Sequence, residues 1–314
     1  MAFVPKTQAY SASINAVTLG TGDKSVVIGG NNVLPFYTFD AEMKNAPKIG
    51  VEISDLGLEH FHTPGFEAYY AGCKTVPEMA QKAASMEGAS FICLALEGAD
   101  PNGRNKSVEE CVALVKDVAA AIDLPLVVMG CKNVEKDSAL LAAVSEALQG
   151  SNILVMSARE EDYKSLGASA VMAYGQKLGA ESADDINLAK QLNVLLSQLG
   201  VPAASVVMNV GSAAAGYGYE YVVSTLDRVR AAALAQSDDM LQMPIITPVS
   251  SETWGVKESI MPEADMPEWG SREERGIEME ITTAAACLTS GSDAVIMAHP
   301  AAVAAVAKMI SALM

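Results

Sequence analysis

Aromatic side chains are scarce in this sequence: Phe, Trp and Tyr make up 5% of its 314 residues, and only 2 are Trp. A large core must therefore come from Ala, Val, Ile, Leu and Met, which help make the chain 50% hydrophobic. Cysteine is sparse too. Cys73, Cys93, Cys111, Cys131 and Cys287 have no CxxC or paired spacing, so there is no evident zinc or iron–sulfur cradle. Free thiols in a reducing compartment are the natural reading. Positive charge is also short, with 21 Lys and Arg against 38 Asp and Glu, a net charge of −17. Such a surface repels phosphate backbones and anionic lipid, which excludes nucleic-acid binding and a membrane-surface role. It suits a basic protein partner or simple solubility. The opening MAFVPKTQAYSASINAV lacks the charged and apolar regions of a signal peptide. No uncharged apolar run reaches the roughly 18 residues of a membrane span. A cytoplasmic location is the expectation.

What the chain does have is alternation. Short apolar runs bounded by polar turns read as strands covered on both faces: IGVEIS (49–54), SFICLAL (90–96), PLVVMG (125–130), NILVMS (152–157), AVMAYG (170–175), SVVMNVG (205–211), MPIITPV (243–249) and DAVIMAHP (293–300). Between them, helical spacing predicts helices near 76–87, 106–122, 136–149, 159–167, 184–199, 217–236, 272–289 and 300–314. Ser107, Ser182 or Asp184, and Ser271 are start signals, the last with Glu274 placed for a capping box. Eight strand–helix units predict an α/β fold, a single (β/α)8 barrel. An open doubly wound sheet is the alternative, but DLGLEHFHTPG after the first barrel strand lacks a Gly-rich phosphate loop. AVTLGTGDKSVVIGG (16–30) reads as a hairpin around a Gly-Thr-Gly-Asp turn that closes the barrel bottom. Residues 1–47 then form the hairpin and lead-in, and 48–314 the barrel, within one structural domain. The stretch 250–270 has no clear structure, and loops this long are usually functional or ordered by a partner.

In such barrels the chemistry sits at the C-terminal ends of the strands. Strand by strand, that face offers Glu52, Asp55, His60 and His62; then Glu97, Asp100, Asn102 and Asn105; then Cys131 and Asn133, Ser157 and Arg159, and Tyr174; then Asn209, Thr247, Ser250, Trp254 and His299. His60 and His62 with His299 would make a metal site, or they are ordinary loop histidines. Glu52/Asp55 and Glu97/Asp100 would hold magnesium or act as bases, or they cap turns and bind backbone amides. No predicted strand carries an interior lysine, which argues against a Schiff-base aldolase. GSAAAGYGYEY (211–221) combines small residues with Tyr217, Tyr219 and Tyr221, a surface for stacking or an interface, or simply a helix-entry loop. Met129, Met156, Met172, Met208 and Met297 would line a soft pocket or fill the core.

Several segments resemble one family in order along the chain: VVIGGNNVLPFYTFD (26–40), IGVEISD (49–55), LEGADPNG (96–103), PLVVMGCKNVEKD (125–137), EEDYKSL (160–166), DINLAKQLNVL (185–195), GYGYEY (216–221), RVRAAAL (228–234), MPIITPV (243–249) and EWGSREERGI (268–277). The sequence is similar to the small subunit of corrinoid iron–sulfur protein, the acetyl-CoA decarbonylase/synthase delta subunit. The resemblance implies a TIM barrel like the pterin-binding methyltransferases. It implies a heterodimer with a large subunit that holds a [4Fe–4S] cluster and most of a corrinoid (cobalamin) site at the interface. This chain would hold no metal centre and would be non-catalytic alone. The other partners implied are a methyltetrahydrofolate methyltransferase and acetyl-CoA synthase/CO dehydrogenase, with a methyl group carried between them, as in an acetogen. The chain agrees in lacking cysteine spacing for a cluster and an Asp-x-His-x-x-Gly corrinoid-ligand motif.

Loop position selects Asn209, Gly216, Tyr217, Tyr219, Thr247, Trp254 and His299 as residues facing the corrinoid or the interface. Two other functions compete. In a stand-alone pterin-dependent methyltransferase, Asn209 and DINLAKQLN would hold the pterin ring. A pure interaction scaffold would touch no ligand.

Overall fold

The computed structural model describes residue 4, residues 6–59 and residues 61–314. Strands β1 (Ala16–Leu19) and β2 (Val26–Gly29) form an antiparallel hairpin. Eight strands follow: β3 (Lys48–Ser54), β4 (Ala89–Ala95), β5 (Leu126–Met129), β6 (Leu154–Ala158), β7 (Lys177–Glu181), β8 (Val206–Asn209), β9 (Ile246–Pro248) and β10 (Ala294–Met297). They pair in parallel in the order β8-β7-β6-β5-β4-β3-β10-β9. A parallel bridge between Met208 and Ile245 joins the two ends, so the sheet closes. This is the (β/α)8 barrel, and closure leaves no sheet edge unpaired.

The helices are α1 (Pro64–Tyr69), α2 (Val76–Ala84), α3 (Val108–Ala121), α4 (Val134–Ala147), α5 (Tyr163–Leu166), α6 (Ile186–Leu199), α7 (Tyr219–Arg230), α8 (Ser250–Thr253), α9 (Lys257–Ile260), α10 (Arg272–Ser290) and α11 (Pro300–Leu313). Ser107 opens α3 with a full capping box to Glu110. Ser271 opens α10 by accepting the Glu274 N–H, the backbone half of the predicted box. At α6 the cap is Asp185, not Ser182 or Asp184, because its carboxylate takes the N–H groups of Asn187 and Leu188.

Side chains alternate in and out of the barrel along each strand. Phe91, Val127, Leu154, Val207, Ile246 and Ile296 form one interior cluster, and Val17, Leu19 and Ile28 of the hairpin belong to it. Phe91 fits because Gly50 stands opposite; a Cβ there would lie 2.0 Å from the ring. Just before β6, Asn152 donates to the carbonyls of Thr18 (2.8 Å) and Gly20 (2.9 Å). The hairpin is therefore the floor of the barrel, as its sequence suggests.

One predicted strand is wrong. Residues 170–175 are not extended: Gly167–Ala173 continues α5 as a wide helical turn. Its buried residues Leu166, Ala170 and Val171 follow helical spacing. The actual fifth barrel strand is β7, KLGAE, with only three apolar positions, one of them Gly179. Gly179 makes room for Met156, whose Cγ would lie 3.0 Å from a Cβ. Little in this stretch marks a strand by β-propensity. The correction also places a lysine at the start of a strand, since Lys48 opens β3 and Lys177 opens β7. Burial lowers both pKa values. Both sit at the N-terminal end of the barrel, away from the catalytic face of such folds.

Leu19 tests the plug. Leu19→Ala should lower unfolding stability by about 2–5 kcal/mol in denaturant titration, since the cavity left behind is enclosed by barrel side chains. A loss below about 1 kcal/mol would mean that the hairpin is not part of the core.

Candidate functional site

A cavity of about 220 Å³ with both polar and apolar walls opens at the C-terminal end of the barrel. Its walls come from the ends of β5, β6, β7, β8 and β9 and from the root of the following segment, through Ser251 and Glu252. Asn209 closes β8 and lines it. The Asn209 amide donates to Ser157 Oγ at 3.3 Å, and its oxygen accepts the Gly211 N–H at 3.2 Å. One amide hydrogen and one lone pair remain beyond these bonds.

Four carboxylates share the cavity wall: Asp137, Glu181, Asp184 and Glu252. Each is held differently. Asp137, on the first turn of α4, accepts the Cys131 N–H at 2.8 Å and the Cys131 thiol at 3.2 Å. Gly130 permits that approach, since a Cβ there would lie 2.3 Å from the carboxyl group. Burial raises the Asp137 pKa, and the Cys131 N–H opposes the rise. Glu181 pairs with Arg159 at 3.0 Å. Asp184 has left-handed backbone, φ 64°, fixed by its N–H to the Val210 carbonyl (2.7 Å) and by Thr225 Oγ1 on its own carbonyl (3.0 Å). Burial raises its pKa, and the negative charge of Glu252 adds to the rise. Lys132 stands 3.7 Å from Glu252. Two cations against four carboxylates leave the cavity acidic and rich in acceptors.

The other predicted site residues lie elsewhere. Thr247 faces outward: its neighbours Ile246 and Pro248 point to the interior and the cavity, so strand alternation turns Thr247 to Ser292, 2.6 Å away. Trp254 and His299 are buried in an aromatic cluster with Phe61 and Phe66. Both His299 nitrogens are engaged: Nδ1 accepts the Ala301 N–H as the cap of α11, and Nε2 lies 3.3 Å from Glu273. Burial lowers the His299 pKa, while Glu273 raises it. Gly216, Tyr217 and Tyr219 lie on the loop into α7 and its first turn, outside the cavity wall. Tyr217 is exposed, and its hydroxyl donates to Glu258. His62 is exposed beside Glu67. His60 lies outside the described residues.

The predicted acidic pairs resolve into anchors. Asp55 accepts the Gly98 N–H at 2.8 Å and pairs with Lys106 at 3.0 Å. Asp100 accepts the Asn102 N–H at 2.9 Å. Glu52 points into the barrel, where it accepts the Ser250 hydroxyl. Glu280 on α10 accepts the N–H groups of Ala298 (2.6 Å) and His299 (3.2 Å). Burial pushes both Glu52 and Glu280 up to about 7. The segment 250–270 is ordered by its own chain: Arg275 donates to the carbonyls of Glu258, Met261 and Gly270, and Arg272 to that of Ser259.

No group of three or more His, Cys, Asp or Glu among the described residues is arranged to hold a metal ion. The five cysteines are scattered and free. Burial pushes Cys131 up to about 11 and Cys287 up to about 12. Among the described residues, the cysteines are not brought together as a cluster would require. Nor does a corrin ring fit inside a cavity of about 220 Å³, below the roughly 300–1,000 Å³ of drug-sized ligand pockets. Among the described residues, no helix is long and apolar enough to cross a membrane.

Glu52 and Glu280 give the fold a pH dependence. Their folded pKa values lie above the ordinary 4.5, so the fold favours their protonated forms. That stabilisation is complete below about pH 4.5 and is lost as pH rises through about 7, by roughly 3 kcal/mol per group. Glu52→Gln should raise the melting temperature at pH 8 and flatten its fall between pH 5 and pH 8. An unchanged pH profile would rule out a buried, proton-holding Glu52.

Comparison with known proteins agrees with this architecture. A family model described as CO dehydrogenase/acetyl-CoA synthase delta subunit matches residues 16–309. An acetyl-CoA decarbonylase/synthase complex subunit delta from Archaeoglobus fulgidus is 32% identical, over 99% of this chain and 71% of its own length. The subunit delta 1 from Methanosarcina thermophila is 32% identical, over 91% of this chain and 65% of its own. The chain thus spans about two thirds of the length of these relatives. Among solved structures, dihydropteroate synthase from Xanthomonas albilineans with 4-aminobenzoic acid has a TM-score of 0.57 at 12% identity, covering 95% of this chain and 98% of that one. Dihydropteroate synthase from Coxiella burnetii with pteroic acid has a TM-score of 0.55 at 10% identity, covering 87% and 96%. These likenesses concern the fold alone, a (β/α)8 barrel. Sequence, strand order and family match together place this chain in the CO dehydrogenase/acetyl-CoA synthase delta-subunit family.

Proposed function

We propose that this chain is the barrel subunit of an acetyl-CoA decarbonylase/synthase-type assembly, and that its C-terminal face forms one wall over a corrinoid held by a partner subunit. The observation that carries this reading is the character of that face. It has an acceptor-rich cavity with a defined shape, yet its described residues gather no metal-ligating cluster, and its one described buried histidine is spent on a helix cap and on Glu273. A subunit that lends walls rather than reactive groups has this composition. The delta subunits it resembles carry complex membership in their names.

In that assembly a corrinoid held by the partner subunit would supply the nucleophile for methyl transfer from methyltetrahydrofolate. The residues of this chain do something simpler. The segment 250–270, held by Arg272 and Arg275, excludes water from one side of the mouth. Asn209 and Ser157 present a fixed amide and hydroxyl to whatever enters. Asp184 and Glu252 accept hydrogen bonds or balance positive charge there. The large subunit, a methyltransferase and acetyl-CoA synthase/CO dehydrogenase are the partners this role requires.

A second reading is favoured by the cavity itself. Its size and its acceptors, Asp184 and Asn209, suit the amino-bearing edge of a pterin, the class of ligand named for the dihydropteroate synthases. The chain would then be a stand-alone pterin-dependent methyltransferase.

One anaerobic preparation separates the two. The wall reading expects the chain to co-purify with a cobalt- and iron-bearing partner. It expects the isolated chain to bind cobalamin weakly or not at all in spectroscopic titration, and to leave methyltetrahydrofolate and cob(I)alamin unreacted. Tight stoichiometric corrinoid binding by the lone chain contradicts it, and turnover without a partner establishes the second reading instead.

A further inference from the structure

We propose that His299 is an acid-sensitive latch at the rim of the C-terminal face: as a neutral imidazole it holds the start of α11 to α10 and α1, and uptake of one proton at Nδ1 releases it. His299 follows β10 and is 3% exposed. Its Nδ1 lies 3.2 Å from the Ala301 backbone nitrogen and caps α11. A backbone N–H can only donate, so Nδ1 must be the acceptor and the ring proton sits on Nε2. Nε2 then donates to Glu273 Oε1 at 3.3 Å. The same oxygen accepts the Thr63 hydroxyl and the Gly65 N–H at the start of α1. Gly65 is needed there, because a Cβ would lie 2.7 Å from His299 Nε2. Three helices thus meet on one Glu273–His299 pair, in one tautomer.

A proton taken from solvent adds to the Nδ1 lone pair and turns the ring into an imidazolium. No other covalent bond changes. The new N–H then faces the Ala301 N–H, donor against donor, and the α11 cap is lost. The ring cannot turn aside without leaving its neighbours: it stacks on Trp254 with centroids 5.7 Å apart and meets Phe66 edge-on at 4.7 Å. Protonation therefore breaks either the cap or the aromatic cluster.

The charges around His299 leave that conflict unrelieved. On α10, Glu273 favours the imidazolium, but it already bonds Nε2 of the neutral ring. Glu280 accepts the His299 backbone N–H at 3.2 Å and, with its pKa pushed up to about 7, is itself protonated in acid. Glu52, bonded to Ser250, behaves alike. On α1, Glu67 pairs with His62 at 3.0 Å, and both are exposed. On α8, Glu252 lines the cavity. The charged residue of α11 is Lys308, in its third turn. Burial disfavours the cation more than Glu273 favours it, so the His299 pKa falls below the ordinary 6.5. Stability held by the neutral ring is present above pH 6.5 and is lost as pH falls through the folded pKa. This inference is independent of the proposed function.

Trp254 reports the state of the ring, because an imidazolium stacked on an indole quenches its fluorescence. The full chain carrying Trp269→Phe keeps Trp254 as its one indole. Titrated from pH 8 to pH 5, its emission should be quenched with a midpoint below 6.5. Over the same range the exchange rate of the Ala301 amide, corrected for intrinsic exchange, should rise by about fivefold or more, the scale of losing a helix cap. His299→Asn keeps an oxygen that can accept the Ala301 N–H, so it should fold and show neither change. In the unaltered chain, nitrogen NMR of the ring at pH 8 should find His299 protonated on Nε2 alone. No quench, a quench that persists in His299→Asn, constant Ala301 exchange, or a proton on Nδ1 at pH 8 would each overturn the proposal.

Discussion

Alternation of side chains along closed parallel strands is the constraint on which this site depends. Once β8 and the residues before β9 join through Met208 and Ile245, every strand has an inside and an outside, and a shift of one residue moves a side chain from the cavity to the helical layer. Asn209 points in and Thr247 points out for that reason alone. The same rule sets Glu52 in the barrel interior, where the loss of water drives its pKa up to about 7. The fold thus fixes both the membership of the cavity and the protonation of its surroundings.

The plug at the other end matters for the same reason. A barrel of this size has to be filled along its axis. With few aromatic residues, the interior relies on Phe91 and on aliphatic side chains from the hairpin, which enter from below. The lead-in is tied to this hairpin, the Asn45 amide donating to the Gly29 carbonyl at 2.9 Å and the Asn31 amide to the Asn45 carbonyl at 2.9 Å.

Much of this architecture was legible in the sequence. Seven of the eight barrel strands, the hairpin and the main helices follow from apolar runs and helical spacing, because buried parallel strands are nearly continuous in hydrophobicity. The failure at β7 has a physical cause: KLGAE carries a glycine where Met156 packs, and neighbouring helical residues mimic a strand more closely than the strand does. That slip hid Asp184, which follows β7 directly. Asp137 was hidden differently, as an ordinary charge in the first turn of α4. Only the fold shows that it turns back to clasp Cys131. Trp254 and His299 illustrate the opposite error, since both follow strand ends yet are drawn into an aromatic cluster that their sequence positions do not reveal.

The proposed wall role makes the C-terminal cavity a participant in methyl transfer by the assembly. The most direct measurement is the methyl-transfer rate of the reconstituted assembly carrying Asn209→Ala, with subunit stoichiometry determined on the same sample. Participation of the cavity predicts a rate reduced by roughly tenfold or more with assembly intact, the scale of losing one positioned hydrogen-bonding group. An unchanged rate in a fully assembled complex would contradict it and reduce the barrel to a scaffold.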